Sequence, residues 1–332
     1  MYPVSDHFNG SIFLNPVSTG VMQKGAFFRV LKKYFQKHPD REPAVAPGPF
    51  TTDIALLQQV PTDMLRITWL GHSTTLIEID GKRFLTDPVW SRRASPFTRL
   101  GPKRFFNNPV ELDDLPSIDF ILLSHNHYDH LDKKTIIRLT SKGIPVITML
   151  GVGNHLRNWG IHKDQITELD WWQTIEAGNQ CSITAAPARH FSGRWLNDRF
   201  KTLWGSFAIR GSVHNVYFGA DSGYYEGFKT IGERLGPFDL TMLDIGAYNE
   251  EWEAIHMGPE KAVQAFVDVK GGMLMPIHWG TFSLAFHPWT EPIEQLIKEA
   301  SKRQVPLFIP APGETCTVDA EAYNSEWWIK YK

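Results

Sequence analysis

The feature that most constrains this chain is a run of metal-binding side chains placed directly after an apolar stretch. Residues 118–123 (IDFILL) are mostly apolar, which predicts a buried strand. Residues 124–130 (SHNHYDH) follow at once and supply three imidazoles and one carboxylate, from His125, His127, Asp129 and His130. In an extended chain, His125 and His127 project the same way, and a turn after Tyr128 would bring the next two side chains to a second ion. Imidazole and carboxylate are ligands for zinc and related divalent ions, which favours a metal site over a solvated turn rich in histidine.

Three further candidate ligands also follow apolar, strand-like runs, and these are His190, Asp221 and His278. Each alone is ambiguous, because a single polar residue after a strand is commonly just hydrogen-bonded. Together with the first cluster they complete seven ligands, enough for two ions. Gly219 and Gly223 flank Asp221, and we expect them to let the backbone approach a ligand closely.

These motifs resemble the metallo-β-lactamase superfamily, and more closely its N-acylphosphatidylethanolamine phospholipase D branch. The superfamily resemblance rests on H-x-H-x-D-H at 125–130, ARH ending at His190, GADSG around Asp221 and IHWG around His278. The branch resemblance rests on WLGHST (69–74), TDPV (86–89), ASPF (94–97), GPKRF (101–105), LWGS (203–206), GPFDL (236–240), IGAY (245–248) and IHWGTF (277–282). The similarity runs from about residue 60 to about residue 295, and more thinly through SDHFNG at 5–10.

The resemblance implies an α/β fold, a four-layer αβ/βα sandwich, and a centre holding two Zn²⁺ per chain, with Mn²⁺ or Fe as alternatives. Our hypothesis is that His125, His127 and His190 hold one ion, that Asp129, His130 and His278 hold the other, and that Asp221 bridges them. Two ions about 3.5–4 Å apart can share a water and lower its pKa, which gives a hydroxide that attacks phosphorus. His72 is expected either to orient a ligand or to cap its local turn.

The implied activity is that of a phosphoric diester hydrolase that releases N-acylethanolamine and phosphatidic acid. Asp129 and His256 are the predicted catalytic residues, with His256 and Tyr248 as substrate contacts. For His256 the alternative is that it caps a helix, and for Tyr248 that it is a buried structural residue. The mammalian pattern has glutamine where this chain has Ile255, which leaves headgroup recognition open. The alternative function is hydrolysis of a small phosphodiester, a cyclic nucleotide or a lactone on the same fold.

The chain divides into an N-terminal extension at 1–60 and a hydrolase domain at 61–332. The extension carries a predicted basic amphipathic helix at 22–37, which would lie on a membrane surface or pack on the enzyme, and a proline-rich connector. In the domain, a hairpin turn is expected at Asp80-Gly81, and strands alternate with helices from there on. Five basic residues between positions 92 and 104 would face phosphate or lipid, or simply solvent.

Composition limits the classes of molecule that this protein is expected to bind. A formal net charge of −2 argues against nucleic-acid binding. The sequence contains no run of about 20 apolar residues, so no membrane span is expected. No signal-peptide pattern is present, which favours the cytoplasm, with peripheral membrane contact as a possibility. A phospholipid or other phosphodiester is therefore the expected partner, and a homodimer is left open.

Overall fold

The first half of the chain, joined by one strand from near the C-terminus, forms a mixed sheet of seven strands. In the computed structural model, which describes residues 5–23, 25–35, 40–59, 62–178, 180–195, 197–319 and 321–332, the strand order is β14-β1-β2-β3-β4-β5-β6. Strands β3 to β6 are parallel, whereas β1, β2 and β14 pair antiparallel. The bounds are β1 Leu65–Gly71, β2 Thr74–Ile79, β3 Lys82–Thr86, β4 Phe120–Leu123, β5 Val146–Met149, β6 Ile166–Leu169 and β14 Thr315–Thr317.

The second half forms a sheet of six strands in the order β12-β11-β10-β9-β8-β7. Its bounds are β7 Thr174–Gly178, β8 Cys181–Ala186, β9 Ser206–Arg210, β10 Asn215–Phe218, β11 Phe238–Asp244 and β12 Gly271–Ile277. A small third sheet pairs β13 (Phe308–Ile309) with β15 (Tyr323–Asn324).

Helices cover the outer faces of both sheets and complete a four-layer αβ/βα sandwich, as predicted. On the first sheet, α4 packs against β5 and β6, while α6 packs against β11 and β12 of the second and also against α5 and α7. The helices are α1 Ala26–Phe35, α2 Ile54–Gln58, α3 Lys133–Thr140, α4 Val152–Asn158, α5 Gly227–Arg234, α6 Gly258–Asp268 and α7 Glu291–Arg303.

The hairpin predicted at Asp80-Gly81 is present between β2 and β3. Both residues have positive φ, 49° and 82°, which is the geometry of a two-residue turn that matches strand twist. Asp80 does more than turn the chain, because its carboxylate accepts hydrogen bonds from Val213 N (2.8 Å), His214 N (2.9 Å) and His214 Nδ1 (2.6 Å). These residues lie in the β9–β10 turn, so Asp80 joins the two sheets at the edge opposite the histidine cluster.

Nine of the described strands run in one direction and end at the same edge of the molecule. In the first sheet these are β1, β3, β4, β5 and β6. In the second they are β8, β10, β11 and β12, because β9 is antiparallel to both β8 and β10. Loops after such strands are where α/β proteins collect functional side chains, and every predicted metal ligand lies there.

The N-terminal extension wraps around the body. Phe13 is fully buried in the core, and Gln23 N donates to the carbonyl of Glu251. The predicted helix at 22–37 is shorter than expected, since α1 begins at Ala26, and positions 36 and 37 lie outside the described residues. Two guanidinium nitrogens of Arg29 in α1 donate to the two carboxylate oxygens of Glu251. The neighbouring Phe28 is 77% exposed. The division at residue 60 stays a prediction.

Candidate metal centre

Four of the predicted ligands meet in a first cluster. His125 Nε2 lies 2.8 Å from His127 Nδ1, and His127 Nδ1 lies 3.2 Å from His190 Nε2. The ligand atoms of these three histidines and of Asp221 all lie within 4.8 Å of one another. The chain brings them together because β4 and β8 end at the same edge of the two sheets.

The second cluster is built around Asp129. Its Oδ2 lies 3.2 Å from His278 Nε2, 3.4 Å from His130 Nε2 and 2.9 Å from His72 Nε2. The His72 side chain thus contacts a predicted ligand, while its backbone holds the turn after β1 by accepting from His278 N and Trp69 Nε1. His72 therefore makes both kinds of contact that the sequence left open, one to a predicted ligand and one within the turn.

Asp221 lies between the two clusters. Its Oδ2 is 3.2 Å from both His130 Nε2 and His278 Nε2 on one side. On the other side it is 3.8 Å from His125 Nε2 and 3.6 Å from His190 Nε2. Asp221 Oδ1 is buried and has no hydrogen-bond partner among the described residues. One carboxylate that reaches both groups is the geometry expected of a bridging ligand.

In three of the predicted ligands, the ring nitrogen that faces away from the clusters is held by a protein acceptor. His190 Nδ1 donates to the Ile255 carbonyl at 2.9 Å, and His130 Nδ1 donates to Asp87 Oδ2 at 2.8 Å. His125 Nδ1 contacts Ser124 Oγ at 2.8 Å, and that hydroxyl donates to Asp87 Oδ2 at 2.6 Å. Fixing these protons on the outer nitrogens turns the ring lone pairs toward the clusters.

The electrostatics of the centre favour cations. Burial above all holds the pKa of His125 well below its usual range and lowers the pKa of His190 to about 3. These rings are therefore neutral at pH 7, the form that ligates metal. Burial also works to lower the pKa of His278, but the carboxylates of Asp221 and Asp129 raise it to about 9. The carboxylates thus place a strongly negative potential on that ring.

The donor set fits two divalent ions. All seven predicted ligands offer nitrogen or oxygen, which suits zinc, manganese or iron. Three ring nitrogens, of His125, His127 and His190, converge at 2.8–3.2 Å, and a cation bound among them would be stabilised by the buried Asp221 carboxylate. Asp129, His130, His278 and Asp221 would hold one ion, and His125, His127, His190 and Asp221 the other.

The backbone at the site is strained. His72, Asp87 and His278 have φ of 56°, 34° and 61°, a region that residues with a Cβ rarely adopt. Such strain persists only where the surroundings impose it, and it concentrates at functional sites. Here it follows three strand ends, β1, β3 and β12.

The two glycines around Asp221 serve packing, and not the approach to a ligand that the sequence suggested. A Cβ on Gly223 would lie 1.9 Å from the Ala254 carbonyl oxygen, and one on Gly219 would lie 2.9 Å from that of Met242. They let neighbouring backbone segments touch, which places Asp221 beside the loop that carries His256.

His256 lies next to both clusters, and Tyr248 lies farther out. The His256 ring is 5.1 Å from the rings of His190 and His278, and its Nδ1 is 3.1 Å from Asp244 Oδ2. The Tyr248 hydroxyl instead bonds to Glu291 of α7. Its ring stacks on His287 at 4.7 Å, and both His287 and His278 line a small cavity.

A groove of about 500 Å³ opens beside the histidine cluster. The Arg194 guanidinium lies 3.9 Å from the centre of the Tyr128 ring and donates to the carbonyls of Asn126 and Leu131. The other residues on its walls include Arg92, Arg93, Phe97, Lys133, Lys134 and Trp159. Of the five basic residues at 92–104, Arg92 and Arg93 line this groove. Arg104 is instead buried and donates to the Val89 and Leu70 carbonyls.

Sequence reasoning missed three residues that act on the site. Asp87 appeared only inside the TDPV motif, and its place after the strand-like run at 83–87 was the signal that could have identified it. Asp244, which ends β11, gave the same signal. Asn15 in the N-terminal extension bonds to both N and O of His190, at 3.0 and 2.7 Å. No local pattern indicated a contact across 175 positions.

Comparison with known proteins agrees with this geometry. The family described as "Beta-lactamase superfamily domain" matches residues 82–279. The uncharacterized protein Rv0906 of Mycobacterium tuberculosis is 43% identical over 330 residues, covering 98% of this chain and 87% of that protein. N-acyl-phosphatidylethanolamine-hydrolyzing phospholipase D 1 of Caenorhabditis elegans is 40% identical over 228 residues, 65% of this chain and 64% of its own. The solved structure of Igni18, a metallo hydrolase from Ignicoccus hospitalis, aligns over 77% of this chain and 99% of its own, with a TM-score of 0.60 and 21% identity.

The fold and the clustered ligands together define a candidate two-metal centre on the metallo-β-lactamase fold. The chain belongs to the metallo-β-lactamase superfamily, and its homologues include phospholipases D that hydrolyse N-acylphosphatidylethanolamine.

Proposed function

We propose that this protein is a zinc-dependent phosphodiesterase that hydrolyses N-acylphosphatidylethanolamine to N-acylethanolamine and phosphatidic acid. The observation that carries the proposal is Asp221, whose Oδ2 contacts histidines of both clusters and so organises a site for two adjacent ions. The 40% identity to a nematode phospholipase D supports the choice of lipid.

The reaction adds water across one bond. Oxygen from water bonds to phosphorus, the bond from phosphorus to the headgroup oxygen breaks, and that oxygen leaves with a proton as the N-acylethanolamine alcohol. Two bound ions would supply a water that ionises near neutral pH and positive charge for the phosphoryl oxygens. Asp129 contributes a ligand oxygen that His72 holds in place.

His256 is the proposed contact to the phosphoryl group. Its ring lies beside His190 and His278, members of different clusters, so it faces the region where the two ions would meet. Tyr248 reaches the same side of the molecule through its stack on His287 and would border the substrate without donating its hydroxyl, which is bonded to Glu291.

The groove beside Tyr128 is the proposed contact with lipid. Its basic side chains suit anionic headgroups, and the exposed Phe97, Leu100 and Trp195 on the loops around Arg194 suit the acyl boundary. Among the described residues, no helix is both long and apolar enough to cross a membrane. If these basic and apolar side chains contact lipid, sedimentation with vesicles of phosphatidylglycerol should deplete the protein from solution, and Phe97→Ser should weaken that binding.

The test is lipid hydrolysis by the zinc-loaded protein. N-acylphosphatidylethanolamine in mixed micelles is compared with phosphatidylethanolamine, and with the chromogenic diester bis(p-nitrophenyl) phosphate. Asp129→Asn should lower turnover at least about 100-fold, because the amide keeps the shape of the side chain but replaces one carboxylate oxygen with a nitrogen that cannot bind metal. Asp164→Asn is the matched control, since Asp164 is exposed and lies outside the centre.

Release of N-acylethanolamine and phosphatidic acid by the protein and by Asp164→Asn, but not by Asp129→Asn, supports the proposal. Hydrolysis of the chromogenic diester without lipid turnover would move the substrate to a small phosphodiester. Full activity of Asp129→Asn on any of these substrates would refute the two-metal mechanism.

A further inference from the structure

Two buried carboxylates hold the Nδ1 atoms of two different histidines at this centre. Asp87 holds His130, a predicted metal ligand, at 2.8 Å. Asp244 holds His256, which is outside the seven predicted ligands, at 3.1 Å. Both carboxylates are fully buried. The same device therefore acts once on a ligand and once on a residue placed to touch substrate.

Asp244 is unusual for its position. It ends β11, whose neighbours β10 and β12 pair with it on both sides, and the strand is otherwise largely apolar. Burial, and the Asp221 carboxylate nearby, raise the pKa of Asp244 well above its usual range, so a carboxyl group here is costly. A hydrogen bond to the buried group offsets that cost, and His256 Nδ1 lies within hydrogen-bond distance of Asp244 Oδ2.

We propose that Asp244 is a positioning residue that fixes the His256 ring through Nδ1, so that Nε2 presents a hydrogen to a phosphoryl oxygen of the substrate. The inference rests on the proposed phosphodiesterase function for its readout in turnover. With Nδ1 engaged by Asp244, a hydrogen on Nε2 can be donated to an anionic oxygen. Carboxylates that orient histidines in this way recur at catalytic and metal sites.

A merely structural role for Asp244 predicts a different pattern of mutant effects. If Asp244 acts through His256, removing its carboxylate should cost nothing once the imidazole is gone. If Asp244 only supports β11, its loss should add to the loss of His256. Residues that act as one unit show the first pattern.

The experiment is a double-mutant cycle on the zinc-loaded enzyme with Asp244→Asn, His256→Ala and the double variant. We expect Asp244→Asn to lower kcat about 10–100-fold with little change in KM, while zinc stays at two ions per chain. The double variant should match His256→Ala within about twofold. Asp87→Asn is the matched comparison, because it acts on a predicted ligand and should lose zinc instead.

A second readout does not need turnover. In zinc-loaded protein labelled with ¹⁵N-histidine, the Nδ1 and Nε2 shifts of His256 report whether the ring is held by a hydrogen bond, and Asp244→Asn should move both. If the lipid is not hydrolysed at all, the proposed function fails, but these shifts still show whether Asp244 holds the His256 ring. Losses that multiply in the cycle, or His256 shifts unchanged by Asp244→Asn, would overturn the inference.

If Asp244→Asn does not fold, Asp244→Ser keeps an acceptor of smaller size and replaces it in both measurements. The thermal midpoint of each variant is recorded first, so that kinetic losses are compared only among folded proteins.

Discussion

At the scale of single residues, Asp87 supports predicted ligands of both clusters although it is not one of the seven. One of its oxygens, Oδ2, accepts from His130 Nδ1 and from Ser124 Oγ, and Ser124 in turn holds His125 Nδ1. The hypothesis gives His125 to one ion and His130 to the other. A single carboxylate that touches neither ion would then set the orientation of ligands to both.

Asp87→Asn should therefore weaken both metal sites together. The amide keeps the shape of the carboxylate but offers one acceptor oxygen where Asp87 has two, so at least one of its hydrogen bonds is lost. We expect zinc affinity to fall about 10–100-fold at each site, measured by competition with a chromophoric chelator. Loss of a single ion, with the other retained at full affinity, would contradict the shared role.

At the scale of elements, the two sheets are joined at opposite edges by different chemistry. The site edge carries the ligands from both sheets, and the far edge carries the bonds between Asp80 and the β9–β10 turn. The Asp80 side chain is 1% exposed, and a Cβ on Gly211 would lie 2.2 Å from its Oδ2, so the two turns fit closely.

Asp80→Asn should destabilise the protein by about 1–3 kcal/mol at pH 7, because it leaves a buried donor poorly paired. Burial tends to raise the pKa of Asp80, but hydrogen bonds from His214 and Val213 outweigh it and hold the pKa below its usual range. A lowered folded pKa gives stability that is present above the unfolded pKa of about 4 and lost as pH falls through the folded value.

Urea unfolding at pH 7, 5, 4 and 3 checks both statements. The difference between the protein and Asp80→Asn should be largest at pH 7 and 5 and should shrink below pH 4. Asp113→Asn is the control, since Asp113 pairs with Arg138 and Lys142 on the surface and should change stability by less than about 1 kcal/mol. A difference for Asp80→Asn that grows on acidification would be the wrong sign.

The sequence predicted the local elements better than the contacts between distant parts of the chain. The alternation of strands and helices and the Asp80-Gly81 turn came from local apolar runs and turn residues, which act over a few positions, and the fold class came from the family resemblance. The seven candidate ligands came from motifs that follow such runs, and the structure brings them together. Asp244 and Asn15 were missed because their partners, His256 and His190, are set by how strands and the N-terminal segment meet in space.

At the scale of the whole molecule, the N-terminal extension is part of the site. The Asn15 side chain forms two hydrogen bonds with the backbone of His190. The neighbouring Arg189 donates to the Thr19 hydroxyl and to the carbonyl of Ser18. The loop after β8 is thus held by residues from the far end of the chain.

Asn15→Ala should loosen His190 and lower zinc affinity about tenfold, with little effect on folding, because the hydrogen bonds that orient a ligand are lost. Asn9→Ala is a matched control in the same segment. Its side chain accepts only from Ser11 N and Ile12 N among the described residues, so its loss should leave zinc binding unchanged. Equal zinc affinity in Asn15→Ala and the unmodified protein would show that the extension has no part in holding the ligand.

The wide spacing of the ligands along the chain also affects how the protein must acquire its metal. Residues 125–130 offer four donors in one short stretch, whereas Asp129 and His278, which meet at 3.2 Å, are 149 positions apart. An ion present while the chain is still unfolded can bind the short stretch first, and metals that bind unfolded chains lower the stabilisation gained on folding. Excess zinc should therefore stabilise the folded protein by less than its affinity for the folded centre alone would give, and urea unfolding with and without zinc would measure the difference.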